Sequence, residues 1–294
     1  NYLSQAWQKK NNWDEAFAAG WQAVEQSGGE EAQQINFGYL LYESTLEKQD
    51  SLLREYALKW LEKYPDNQVA QHMGNAVLNR AVRPRANDEY LKNIFDIFAP
   101  DFEQVLTGLD YRAPELIRCL LEEIYGSKKS PRLRILDAGC GTGFCGGFLK
   151  KYSSFRGLYG VDISEKMLEQ AQAKKVYSHL LQSELEQYFS QAKTKFDLIV
   201  SADVFTYFGS LEKLLSGMAD SLSAGGRVIF TVSENNLNDD DYFLHSSGRY
   251  LHHQNYVGKV LEKAGFEVEK LERAKLRNEG ENIVYGYVVS ALKK

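Results

Sequence analysis

The chain has 294 residues, 44% of them hydrophobic and 13% aromatic, with a formal net charge of −5. That is room for two domains and apolar content for a sizeable core. The acidic balance, without a polybasic stretch, argues against nucleic acid or an anionic membrane as partner, and no apolar run is long enough to span a bilayer. Cys119, Cys140 and Cys145 lack metal-ligand spacing, so the expectation is reduced thiols, no bound metal and a cytoplasmic setting.

Residues 1–85 read as helices joined by short turns. Trp13-Asp-Glu-Ala-Phe17, Trp21-Gln-Ala-Val24 and Ala57-Leu-Lys-Trp60 set aromatic and small residues at helical spacing. Asp14-Glu-Ala-Phe17 resembles the start of the second helix of a tetratricopeptide repeat. Tyr64-Pro-Asp-Asn67 resembles the turn between two such repeats, although the Trp21 and Trp60 segments lie about 39 residues apart, more than the usual ~34. The resemblance implies a degenerate tetratricopeptide-like pair; generic helical hairpins are the plainer alternative. Such a stack serves for docking or dimerisation, or as a lid or scaffold.

Pro84, within the polar stretch Arg83 to Asp88, marks a boundary and divides the chain into domains 1–85 and 86–294. Tyr90 to Phe102 and Leu109-Asp-Tyr111-Arg112 then precede the first strand.

Leu133-Arg-Ile-Leu-Asp137-Ala-Gly139-Cys140-Gly141-Thr-Gly143 follows. An apolar run reads as a buried parallel strand ending at Asp137, and Phe144 to Tyr152 as a helix. Strand, glycine turn and helix form an elbow on which a nucleotide presses against bare backbone. A second strand (Leu158, Tyr159, Val161) ends at Asp162, 19 residues beyond Gly143. These two motifs resemble the class I S-adenosylmethionine (SAM) methyltransferases.

The resemblance implies a Rossmann-like seven-stranded methyltransferase sheet behind the helical domain, with SAM as cofactor and S-adenosylhomocysteine as product. It implies that Gly139, Cys140, Gly141 and Gly143 cradle the methionine part and that Asp162 binds the ribose hydroxyls. It also implies that aromatic residues before the first strand cover the cofactor. There Phe95 and Phe102 replace the Tyr often found, while Tyr111 and Arg112 are candidates for the SAM carboxylate; the alternative for Tyr111 is a helical lid. Tyr177 to Leu185 takes the adenine-binding place after the third strand, with Glu184 favoured over Ser183 as acceptor for the amine and a solvated helix start as the alternative. Ile163 and Met167 are placed against the ring, with Leu185 alongside.

Gly141-Thr-Gly143-Phe-Cys-Gly146 also satisfies the dinucleotide fingerprint G-x-G-x-x-G. Asp137 weighs against that rival, because a carboxylate at the elbow repels a pyrophosphate and favours the cationic side of SAM. A glycine turn with no ligand is the third reading.

Further on, Lys195 to Asp203 reads as strand four with Asp203 at its carboxyl end, Leu211 to Leu222 as an amphipathic helix closed by Ser223-Ala-Gly-Gly226, and Arg227 to Ser233 as strand five. Tyr256 to Ala264 reads as a helix, and Phe266 to Leu276 with Ile283 to Leu292 as an antiparallel hairpin turning at Glu279-Gly280-Glu281-Asn282.

Transfer to a hydroxyl or ammonium needs a proton acceptor. His252, His253 and Tyr207 are the candidates; the alternative for the histidines is that one caps the helix near Asn255 and the other is exposed. Arg249 is a candidate for binding an acidic acceptor, and the acidic stretch Glu234 to Ser247 suits a substrate lid. Asp203-Val-Phe-Thr-Tyr207-Phe208 lacks the Asn/Asp-Pro-Pro-aromatic pattern used on planar amino nitrogens. The expected function is methyl transfer to an O or N atom of a small molecule or carrier-bound metabolite. The alternatives are a protein methyltransferase docking its client on residues 1–85, or a non-catalytic SAM-binding scaffold. A homodimer is a further expectation.

Overall fold

The computed structural model describes residues 2–47, 50–80, 83–126, 132–280 and 282–294. Its packing divides the chain into a helical unit, residues 1–97 with 244–249, and an α/β unit, residues 98–243 with 250–294.

The helical unit contains α1 (Tyr2–Lys9), α2 (Trp13–Gln26), α3 (Glu31–Leu46), α4 (Asp50–Lys63), α5 (Gln68–Val77) and nearly all of α6 (Asp88–Phe98). Asn12 and Asn67 start α2 and α5 by accepting the N–H of Glu15 and Ala70, groups the helices cannot satisfy themselves. The turn expected at Tyr64 to Asn67 is present between α4 and α5. Phe17, Phe37 and Trp60 are fully buried, and the Phe37 and Trp60 rings meet edge to face at 5.3 Å. The unit runs past the expected boundary at 85 because Tyr90, Leu91 and Ile94 are buried and Tyr90 stacks on His72 at 4.2 Å. The 244–249 segment is tied in by His72, whose Nε2–H donates to the Gly248 carbonyl at 2.8 Å.

In the α/β unit, α7 (Phe102–Gly108) and α8 (Ala113–Tyr125) lead into β1 (Leu133–Ala138), α9 (Gly146–Tyr152), β2 (Ser153–Asp162), α10 (Glu165–Ala173), β3 (His179–Gln182), α11 (Leu185–Gln191) and β4 (Phe196–Ser201). Then come α12 (Glu212–Ser221), β5 (Leu222–Ser233), the short pair β6 (Tyr242–Leu244) and β7 (Tyr250–His252), α13 (Gln254–Lys263), β8 (Phe266–Glu279) and β9 (Asn282–Lys293). The seven-stranded sheet has the order β3-β2-β1-β4-β5-β9-β8, with β1 to β5 parallel and β9 antiparallel to both its neighbours. This is the Rossmann-like methyltransferase arrangement. Apolar residues of α8 and α9 cover one sheet face, those of α11, α12 and α13 the other, so the parallel strands are buried on both sides.

Three local expectations change. β1 continues one residue past Asp137 to Ala138. The stretch placed after the third strand contains that strand itself, His179–Gln182. Residues 223–226, read as a turn, belong to the start of β5, with Gly225 at φ +69° absorbing the irregularity beside β4. In the closing hairpin, Glu281 lies outside the described residues.

Candidate cofactor and catalytic site

The strand order reverses between β1 and β4, so the crevice beyond their carboxyl ends is where a parallel α/β sheet binds its ligand. The glycine turn lies there. Gly139, Gly141 and Gly143 have φ of +75°, +52° and +83°, a region that side chains disfavour. Their surroundings separate them. A Cβ on Gly139 would come within 2.4 Å of Val204, and one on Gly143 within 2.9 Å of the Tyr177 ring, so both are packing glycines. A Cβ on Gly141 would meet only Phe102 at 3.8 Å, which leaves bare backbone open to a ligand.

Asp162 ties the second strand to this turn. Its Oδ2 accepts the Gly141 N–H at 2.7 Å and its Oδ1 the Ser164 N–H at 2.9 Å. A carboxylate oxygen accepts more than one hydrogen bond, so acceptor capacity remains for a ribose diol. Cys140, buried at the turn, donates its N–H to Val161, and burial pushes its thiol well up, as it does for Cys145.

Asp137 is 1% exposed and accepts the Tyr177 hydroxyl at 2.6 Å. Burial raises its pKa to about 7 against the opposing pull of that hydrogen bond, with Asp162 raising it further. Tyr177 also packs against Gly143, Gly146 and Gly160. Sequence reading placed Tyr177 near adenine and missed this role; a large aromatic facing several small residues was the available signal.

Glu184 caps α11, its two oxygens accepting the N–H groups of Glu186 and Gln187 at 2.9 and 2.8 Å. Its first role is in the fold rather than as a free adenine acceptor. Leu185 and Met167 are buried, and Ile163 is half-buried with its carbonyl accepting from Gln182.

Above the turn, α7 is latched down: Glu103 accepts the Thr142 hydroxyl at 2.7 Å and pairs with Lys174. Phe102 belongs to this unit, Phe95 to the helical one.

Tyr111 and Arg112 separate. Tyr111 meets the Phe144 ring at 6.3 Å, and its hydroxyl lies in a buried setting that pushes its pKa well up, with Asp203 adding to the rise. Arg112 pairs with Glu115 at 3.0 Å on an exposed helix start, where solvent competes for the guanidinium. The buried cation is instead Arg277 of β8, which holds the Asp203 carboxylate at 3.0 and 3.1 Å. Nothing local marked Arg277; only the hairpin brings it to the end of β4.

Of the proposed bases, His252 is fully buried, its Nε2 bonded to the Gly209 carbonyl at 3.1 Å, and burial lowers its pKa to about 4. Sealed in this way, its imidazole has the setting of a structural histidine rather than of a base that meets an acceptor. His253 caps α13, its Nδ1 accepting the Asn255 N–H at 3.2 Å. Tyr207 is half-buried in the one-turn helix Phe205–Tyr207 after β4. Arg249 lies in the segment belonging to the helical unit.

Residues 136–230 match the family described as a methyltransferase domain. Human methyltransferase-like protein 27 is 43% identical over 89 residues, covering 30% of this chain and 35% of that protein. The malonyl-[acyl-carrier protein] O-methyltransferase of Priestia megaterium is 26% identical over 151 residues, 51% of this chain and 53% of its own. The chain thus spans between about a third and a half of those relatives. In fold it is similar to magnesium protoporphyrin IX methyltransferase of Synechocystis with bound S-adenosylhomocysteine (TM-score 0.57, 18% identity, 71% of this chain, 100% of that one). It is also similar to 1,6-didemethyltoxoflavin-N1-methyltransferase of Burkholderia thailandensis (TM-score 0.54, 19% identity, 73% and 92%). Residues 136–230 thus match a methyltransferase domain, and the sheet order and the glycine elbow agree with that match.

Proposed function

We propose that the protein binds SAM and transfers its methyl group to an oxygen or nitrogen of a small molecule or carrier-bound metabolite. The observation that carries this reading is the elbow at Gly141, open on its ligand side and fixed by Asp162 at 2.7 Å. Asp162 sets a carboxylate at the elbow, which suits a cationic donor and opposes a pyrophosphate, whereas Asp137 is raised to about 7 by burial and Asp203 is paired with Arg277. SAM supplies a methyl group already activated on a sulfonium. What the chain must supply is alignment, exclusion of water and an acceptor for any proton released. Tyr207 and His253 remain the candidates for that last part.

The relatives named for malonyl-[acyl-carrier protein] favour a carrier-bound oxygen acceptor among the choices. The tetratricopeptide-like reading of the helical unit, with client docking or dimerisation, rests on the turn at Tyr64 to Asn67 and the capped helices around it. A cytoplasmic setting agrees with three free cysteines; no helix among the described residues is long and apolar enough to cross a membrane.

Calorimetry with SAM tests the cofactor assignment. Asp162→Ala is expected to weaken binding by at least ~100-fold, about 2.7 kcal/mol; unaltered affinity in a folded variant overturns it. Incubation of the protein with methyl-labelled SAM and lysate then reads the acceptor class. Label in small metabolites or carrier thioesters supports the proposal, and label in protein side chains supports the docking alternative.

A further inference from the structure

Residues 109–112 are stitched to the end of β8. The Arg112 N–H donates to the Leu276 carbonyl at 2.8 Å, the Asn278 N–H donates to Leu109 at 2.7 Å, and Lys275 pairs with Asp110 at 2.8 Å. The segment carrying Tyr111 is therefore an added edge on the β8–β9 hairpin. Where that hairpin ends, Arg277 is 2% exposed, and its guanidinium faces two carboxylates. One N–H group reaches both oxygens of Asp203; Nε and the other terminal nitrogen reach Glu279 at 3.0 and 2.9 Å.

Asp203 is held twice. Its backbone N–H donates to the Thr231 hydroxyl at 2.9 Å, its φ is +57°, and its carboxylate is clamped by Arg277. The next residue, Val204, lies against Gly139 of the elbow. A strained position fixed from two directions beside a ligand cradle is over-determined for folding alone. Only Nη1 reaches Asp203; Nε and Nη2 grip Glu279, which fixes the plane of the guanidinium and with it the direction from which Nη1 meets the Asp203 carboxylate, a constraint an ammonium lacks.

We propose that Arg277 is a positioning residue for methyl transfer: it orients Asp203 toward the donor's cationic end and seats the Tyr111 segment over the crevice. This rests on the SAM reading but not on any acceptor class. Arg277 acts through Asp203, so the two residues form one functional pair drawn from β8 and the end of β4.

The test measures SAM and S-adenosylhomocysteine affinities by calorimetry for Arg277→Lys, Asp203→Asn and the double variant. The two ligands share every group except the methyl and its charge. Misplacing Asp203 is expected to lower the SAM-to-S-adenosylhomocysteine affinity ratio roughly fivefold in each single variant, with no further fall in the double. General disruption would weaken both ligands alike and leave the ratio fixed, and that result overturns the proposal. Amide exchange is the second measurement, read at 109–112 relative to the β1 amides of the same variant so that a general loss of stability cancels. Glu279→Gln, which keeps the Asp203 pair, is expected to leave exchange at 109–112 within twofold of wild type, while Arg277→Lys raises it at least tenfold. Equal exchange in both variants overturns the seating role. Wild-type protein that binds neither ligand would instead remove the SAM reading itself.

Discussion

The Tyr177 hydroxyl donates to the Asp137 carboxylate at 2.6 Å, and this one bond joins the segment before β3 to the carboxyl end of β1 under the glycine elbow. It partners a carboxyl that burial has raised to about 7.

That raised value makes stability depend on pH. The folded chain holds the Asp137 proton more tightly than the unfolded chain, where the group titrates near 3.8. Its contribution is therefore complete below about pH 4 and is lost as pH rises toward 7, a change on the order of 4 kcal/mol. Asp137→Asn keeps an acceptor for Tyr177 and should flatten this slope in urea titrations at pH 5 and pH 8. An unchanged slope would mean the carboxyl is not buried as described.

Gly139 and Gly141 should fail in different ways. Gly139→Ala sets a methyl 2.4 Å from Val204 at φ +75° and is expected to cost about 2 kcal/mol or more in thermal unfolding. Gly141→Ala meets only Phe102, at an ordinary contact of 3.8 Å, so the expected stability loss is near 1 kcal/mol while SAM affinity falls by at least ~100-fold. Equal effects of the two substitutions on both measurements would refute the division of roles.

His72 gives the helical unit an acid limit. Burial lowers its pKa to about 4 from 6.5, partly offset by the Gly248 carbonyl. The unfolded chain takes up the proton first, so stability is full above about pH 6.5 and declines as pH falls toward 4, by on the order of 3 kcal/mol. Trp7, Trp13, Trp21 and Trp60, all the tryptophans of the chain, lie in this unit, so their fluorescence reports its unfolding. His72→Gln should remove the decline between those pH values.

Glu103 should govern how fast α7 opens. Glu103→Ala deletes the acceptor of both Thr142 and Lys174. Amide exchange over 102–108 is expected to rise, and SAM dissociation in stopped flow to quicken about tenfold, roughly 1.4 kcal/mol of lost latch. A SAM dissociation rate equal to wild type would show that α7 does not cover the bound donor.

The sequence by itself determined the elements whose signal is local. A buried parallel strand needs an apolar run, and a tight elbow needs Gly139, Gly141 and Gly143. It also determined where Asp162 sits, because strand length and the crossover helix fix the distance from the turn to the second strand. Only the tertiary structure decided which polar groups are buried together. His252 and Arg112 have the chemistry of site residues; one is sealed in the core and the other paired on the surface. Arg277 gave no local sign, yet a hairpin closing 74 residues along the chain brings it to Asp203. Burial and pairing depend on what the rest of the chain packs against a residue. No stretch of neighbours carries that information, whereas backbone conformation and helix capping are settled within a few residues.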